Sequence, residues 1–139
     1  MDNLSIVIIA VLAGMATYVI SVKLEKGAVF GSAIVVLLSG LFLPHFFETG
    51  ATLAVVATTS SYAGMVAAKN VPNLKEMAAV GLIVGILFIL AEPVYLGVGG
   101  KLGVIAALSC LSWIGIKKVL KMMSKEKDAQ QKPSINRMR

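Results

Sequence analysis

Glu92 is the residue of this 139-residue chain most able to do chemistry, because it lies inside an apolar run from Met77 to about Val98. It follows Gly81, Gly85 and Phe88 at helical steps, so it shares a stripe with the glycine pair and is expected to face another helix. A carboxylate at that depth is costly unless paired, protonated or hydrated, which makes it a candidate for handling a proton or a cation. Pro93 adjoins it and removes a backbone donor, so the carbonyls near Ile89 and Leu90 are expected to be free for a cation, water or a hydroxyl. His45 follows a second intrahelical proline, Pro44, at a similar expected depth, and the sole imidazole of the chain could exchange protons with Glu92. The competing expectation places both in the outer headgroup layer, with Glu92 paired to Lys101 and His45 solvated.

A second group with chemical potential is the run Thr58, Thr59, Ser60, Ser61 and Tyr62, five hydroxyls in succession within the apolar block 51–68. Thr58, Ser61, Tyr62 and Met65 follow helical spacing and should form one stripe that avoids lipid. Such hydroxyls either bond to carbonyls of their own or neighbouring helices, or line a hydrated path with Glu92 and His45. Recognised catalytic signatures are missing: the sequence has no Gly-rich phosphate loop, no HExxH or CxxC spacing and no nucleophile elbow. The expectation is therefore a protein that is not an enzyme and uses no metal or cofactor.

The elements that must position these residues are legible from composition. With 58% hydrophobic and 14% charged residues and a mean hydropathy of +0.88, the chain lies outside soluble globular usage. Five apolar blocks, at about 4–22, 28–47, 51–68, 77–98 and 102–123, each approach the ~20 residues that cross ~30 Å of hydrocarbon as a helix. They are continuously apolar instead of alternating, which argues for helices and against a barrel. The predicted fold is an all-α polytopic bundle of about five transmembrane helices, residues 1–123, followed by a basic tail, 124–139. The first block lacks a basic leader and begins Met1-Asp2-Asn3, so a cleaved signal peptide is not expected.

Displacing the sequence by 49 residues superimposes 29–61 on 78–110 with ten identities, among them Pro44 with Pro93, Gly50 with Gly99, Val35 with Val84, Ala57 with Ala106 and Ser60 with Ser109. This points to an internal repeat of two-helix units. Pairs of small residues four apart recur: Ala10 with Gly14, Gly27 with Gly31, Ser60 with Gly64, Gly81 with Gly85, and Gly99 with Gly103. They predict close helix packing. The loops between blocks are too short to hold an extramembrane site, and Asn73 followed by Glu76 reads as a helix start.

Charge sets the expected orientation. Twelve of the thirteen basic residues fall on one side of the predicted topology and Lys101 alone on the other, which places the amino terminus outside and the carboxyl tail in the cytoplasm of a cell-membrane protein. The lysines from Lys117 onward favour anionic lipid or simply fix topology, and without aromatic or structured basic modules they do not suggest nucleic acid. Duplicated, Pro/Gly-interrupted segments are the best sequence pointer to a transport site. The functional reading is a homo-oligomeric transporter or channel for a small solute or ion in the lipid bilayer. The alternative is a non-catalytic subunit or assembly factor docked on other membrane subunits.

Overall fold

The computed structural model describes residues 3–66, 68–91 and 99–135, with side chains through residue 126. All described regular elements are helical: α1 (Asn3–Tyr18), continuing into a five-residue π-helical turn (Val19–Lys23), then α2 (Ala28–Phe46), α3 (Gly50–Ala63), α4 (Leu74–Ala91) and α5 (Lys101–Ile135). Four stretches are long and apolar enough to cross a membrane, namely Asn3–Lys23, Ala28–Phe46, Leu74–Ala91 and Lys101–Glu126. The architecture is a helical bundle of the kind a small membrane protein requires, because helices satisfy their backbone donors and acceptors internally where no water can.

The third block departs from its expected length. Helix α3 has 14 residues and covers ~21 Å at 1.5 Å per residue, short of the ~30 Å of a hydrocarbon core. It ends where Gly64 presses on α1: an added Cβ would meet Thr17 Cβ at 2.7 Å and the Gly14 carbonyl at 2.8 Å. Beyond it, Met65 N–H and Val66 N–H turn back to the carbonyls of Tyr62 and Ala63. The short helix is the most central one, packing against all four others.

The helices alternate in direction. Gly81 lies against Val11 and Gly85 against Val7, so α4 runs opposite to α1, whereas Ser60 reaches Ala10 and Gly64 reaches Thr17, so α3 runs parallel to it. Ser32 meets Ser61, and Gly50 is pressed on the carbonyl of Leu43, so α2 and α3 form an antiparallel hairpin. Trp113 and Lys117 reach Glu76 while Lys101 covers Phe88, which makes α4 and α5 a second antiparallel hairpin. This alternation collects Lys23, Lys26, Lys69, Lys75, Lys117 and Lys118 at one end of the bundle and leaves His45, Glu48 and Lys101 at the other.

The two hairpins bury corresponding positions. Val35 and Val84, Ala57 and Ala106, and Ser60 and Ser109 are all buried at the 49-residue offset found in the sequence. At the glycines of the repeat, Gly50 is buried against α2, while no described residue lies within 4 Å of a Cβ placed on Gly99.

Small residues decide how closely the helices approach. A Cβ on Gly81 would stand 2.8 Å from Val11 Cα, and one on Gly85 2.9 Å from Val7 Cα, so α1 and α4 touch backbone to backbone. On α2, Gly31 sits against the Thr17 carbonyl at 3.0 Å. Other small-residue pairs show no contact of this kind among the described residues: Gly27 occupies the turn before α2 with φ of 93°, and no described atom lies within 4 Å of a Cβ at Gly27, Gly99 or Gly103. Nor does Pro44 break a helix midway, because it lies in the last turn of α2, which ends two residues later at Phe46. The stretch after residue 123 continues α5 as helix to Ile135.

Candidate functional site

The hydroxyl run on α3 divides into an inward and an outward set. Thr59, Ser60 and Ser61 are fully buried, whereas Thr58 is half-buried and Tyr62 is 40% exposed. The division follows from helical geometry, because Ser61 is turned to α2, Ala63 to α5, and Tyr62 lies on the arc between them.

The inward hydroxyls are satisfied by carbonyls and by one another. Thr59 Oγ1 donates to the Val55 carbonyl at 2.8 Å, and Ser61 Oγ donates to the Thr58 carbonyl at 2.8 Å while lying 3.0 Å from Ser32 Oγ on α2. Ser60 Oγ crosses to the Ala10 carbonyl of α1. Its repeat counterpart Ser109 stays within its own helix, donating to the Ile105 carbonyl at 2.7 Å. Ser60 is thus a structural hydroxyl bonded to a carbonyl of a neighbouring helix, one of the two arrangements expected for this run; its membership of a small-residue pair and of the repeat agrees with that packing role. The interior around these groups is packed with Val56, Val80, Val84 and Met77, all fully buried. Thr17 Oγ1 is buried with no hydrogen-bond partner among the described residues.

The outward set forms a line along α3: Ala51, Val55 and Tyr62 are exposed and Thr58 lies between them, half-buried. These positions repeat at steps of four, three and four and so share one face. That face opens between α2 and α5, which do not pack on each other. Beside Tyr62, the end of α3 and α5 bound a recess of about 250 Å³, lined also by Met65, Val66, Gly103, Ala107 and Cys110. Thr58 Oγ1 donates to the Ala54 carbonyl at 2.8 Å, which leaves its lone pairs free to accept. Cys110 lies 3.7 Å from the Ala63 carbonyl on the far wall.

The other sequence candidates are placed apart from this cleft or fall outside the description. His45 is exposed at the end of α2, with its ring edge-on to Phe46 at 5.5 Å between centroids. Glu92 and Pro93 lie outside the described residues, and with them the contacts of Glu92 with His45 or Lys101. Lys101 Nζ stands 5.4 Å from the centre of the Phe88 ring.

At the basic end the structure assembles a polar cluster that sequence reasoning did not find. Glu76 Oε2 accepts from Lys117 Nζ at 2.6 Å and from Trp113 Nε1 at 3.1 Å, and Lys117 Nζ also reaches the Asn70 carbonyl at 3.3 Å. Helix α4 begins at Leu74, immediately after Asn73, as the sequence suggests, but the Glu76 carboxylate is used across the hairpin. Trp113 and Lys117 are four apart on α5 and therefore share a face, which is legible in advance; the partner carboxylate is not.

Compared with known protein families, functionally described proteins and solved structures, the chain matches none of them.

Proposed function

We propose that the chain works as a homo-oligomeric, non-enzymatic membrane transporter or channel for a small solute or ion, with its path between copies along the open face of α3. The observation that carries this reading is the line Ala51, Val55, Thr58 and Tyr62 at the floor of the cleft between α2 and α5. Lipid is a poor occupant there. A helix of 14 residues cannot present an apolar surface across the whole hydrocarbon layer, and mismatch carries a cost for every ångström. A second copy covers the short helix and encloses its hydroxyls at once. The tightly packed interior of a single chain favours a path between chains over one within it. In this reading Glu92 and His45 act at the outer mouth as proton- or cation-handling groups, and the lysine-rich end faces the cytoplasm.

The test is cross-linking in a Cys110→Ala background reconstituted in lipid. Cysteines introduced singly at Val55 or Tyr62 should form disulfides between copies, whereas cysteines at Leu12 or Leu82, exposed on other faces, should not. Monomeric protein with no cross-link at any of the four positions would favour the alternative, a non-catalytic subunit that needs other membrane proteins. Once a solute is in hand, Glu92→Gln should remove transport or its pH dependence while the oligomer persists.

A further inference from the structure

The last described turns of α5 carry two opposed faces. Ile116, Val119, Leu120 and Met123 fall on one side and are all exposed. Lys117, Lys118, Lys121 and Lys125 fall on the other, within an arc of about 100° at 100° per residue. The position of Lys117 and Trp113 against Glu76 orients this basic face towards the start of α4, where Lys75 is exposed. Glu76, the carboxylate that faces α5 from the start of α4, is already occupied by Lys117 and Trp113. The result is an excess of positive charge held on a rigid helix at the basic end of the bundle, with the indole of Trp113 one turn away from Lys117.

We infer that Lys75, Lys118, Lys121 and Lys125 form a binding surface for the headgroup of an anionic phospholipid, seated beside Trp113 in the angle between α4 and α5. Like charges crowded on one face repel, and a phosphate with further negative charge relieves that repulsion. Glu76 acts here as a positioning residue: by holding Lys117 and Trp113 it fixes the rotation of α5 and leaves the remaining lysines pointing to the headgroup layer. Each lysine engaged is worth ~1 kcal/mol of attraction, or about fivefold in relative affinity.

The chain contains one tryptophan, so lipid near this surface can be read locally. Full-length protein is reconstituted in phosphatidylcholine with increasing brominated phosphatidylglycerol, or in phosphatidylglycerol with brominated phosphatidylcholine, and quenching of Trp113 gives the relative affinity of the two lipids beside it. Wild type should prefer the anionic lipid by about fivefold or more, weakening as sodium chloride is raised. The quadruple variant Lys75→Gln, Lys118→Gln, Lys121→Gln, Lys125→Gln changes only exposed side chains and should bring the ratio to about one; Lys→Arg at the same positions should restore it. Equal quenching by both lipids in wild type, or an unchanged preference in the Gln variant, overturns the inference. If inorganic phosphate abolishes the preference where sodium chloride of equal ionic strength does not, the surface is a site for free phosphate and the lipid assignment fails.

Discussion

Replacing Gly85 by alanine adds a single methyl group, and the structure places it 2.9 Å from Val7 Cα and 3.1 Å from Val7 Cγ2. An ordinary carbon contact is ~3.5 to 4.0 Å, so α4 must withdraw from α1 by most of an ångström, because a backbone atom cannot rotate aside. A gap of that size forfeits roughly a quarter to a half of the dispersion energy of each contact it opens. Overpacking of this kind costs about 1 to 3 kcal/mol, and the better helix propensity of alanine returns at most ~1 kcal/mol. The net loss should be about 1 to 2 kcal/mol, with Gly85→Leu losing more. Gly81→Ala should behave alike, since its Cβ would lie 2.8 Å from Val11 Cα. The double variant should lose less than the sum, because one displacement of α4 relieves both contacts. Gly103→Ala is the control: open space surrounds that position, so its stability should be equal or slightly higher. Thermal unfolding in a fixed neutral detergent measures all five variants. A Gly85→Ala protein as stable as wild type, or strict additivity with Gly81→Ala, would refute the backbone contact between α1 and α4.

Two hydroxyls on the same helix interface should respond with opposite sign in that assay. Ser60→Ala removes the bond to the Ala10 carbonyl and should cost about 0.5 to 1 kcal/mol, while Thr17→Val removes a buried hydroxyl without a partner and should be neutral or stabilising by up to ~1 kcal/mol. If Thr17→Val destabilises by more than Ser60→Ala, then Thr17 has a partner that its surroundings do not reveal. Lys117→Met should release Glu76 and Trp113, read as a shift in the emission maximum of the single tryptophan; an unshifted spectrum would mean that the pair does not persist in lipid. In a Cys110→Ala background, cysteines at Glu48 and Lys75 should label with an impermeant thiol reagent from opposite sides of a sealed vesicle, since the alternating helices put them at opposite ends. Labelling from the same side would contradict the passage of α3, the helix between them, from one end of the bundle to the other.

The amino-acid sequence by itself determined that the chain is a bundle of apolar helices, because hydrocarbon leaves a continuous apolar run few other ways to satisfy its backbone. Four of the five expected spans have counterparts long enough to cross a membrane, within a few residues at most ends, and the glycines at 81 and 85 could be assigned to a packing face from their spacing alone. The sequence also showed that Thr58 to Tyr62 would avoid a uniform lipid environment. Only the tertiary structure decided which of those hydroxyls are interior, because the assignment depends on the rotation of α3 against α2 and α5, and a stripe drawn on an isolated helix has no reference direction. That is why the stripe drawn through Thr58, Ser61, Tyr62 and Met65 joined the buried Ser61 to the exposed Tyr62. The same dependence hid the Glu76 cluster: its partners lie 37 and 41 residues away, and no local rule pairs a first-turn glutamate with a tryptophan and a lysine on another helix. The length of α3 was likewise a tertiary decision, since its apolar block was long enough to continue and the helix stops where Gly64 meets the backbone of α1.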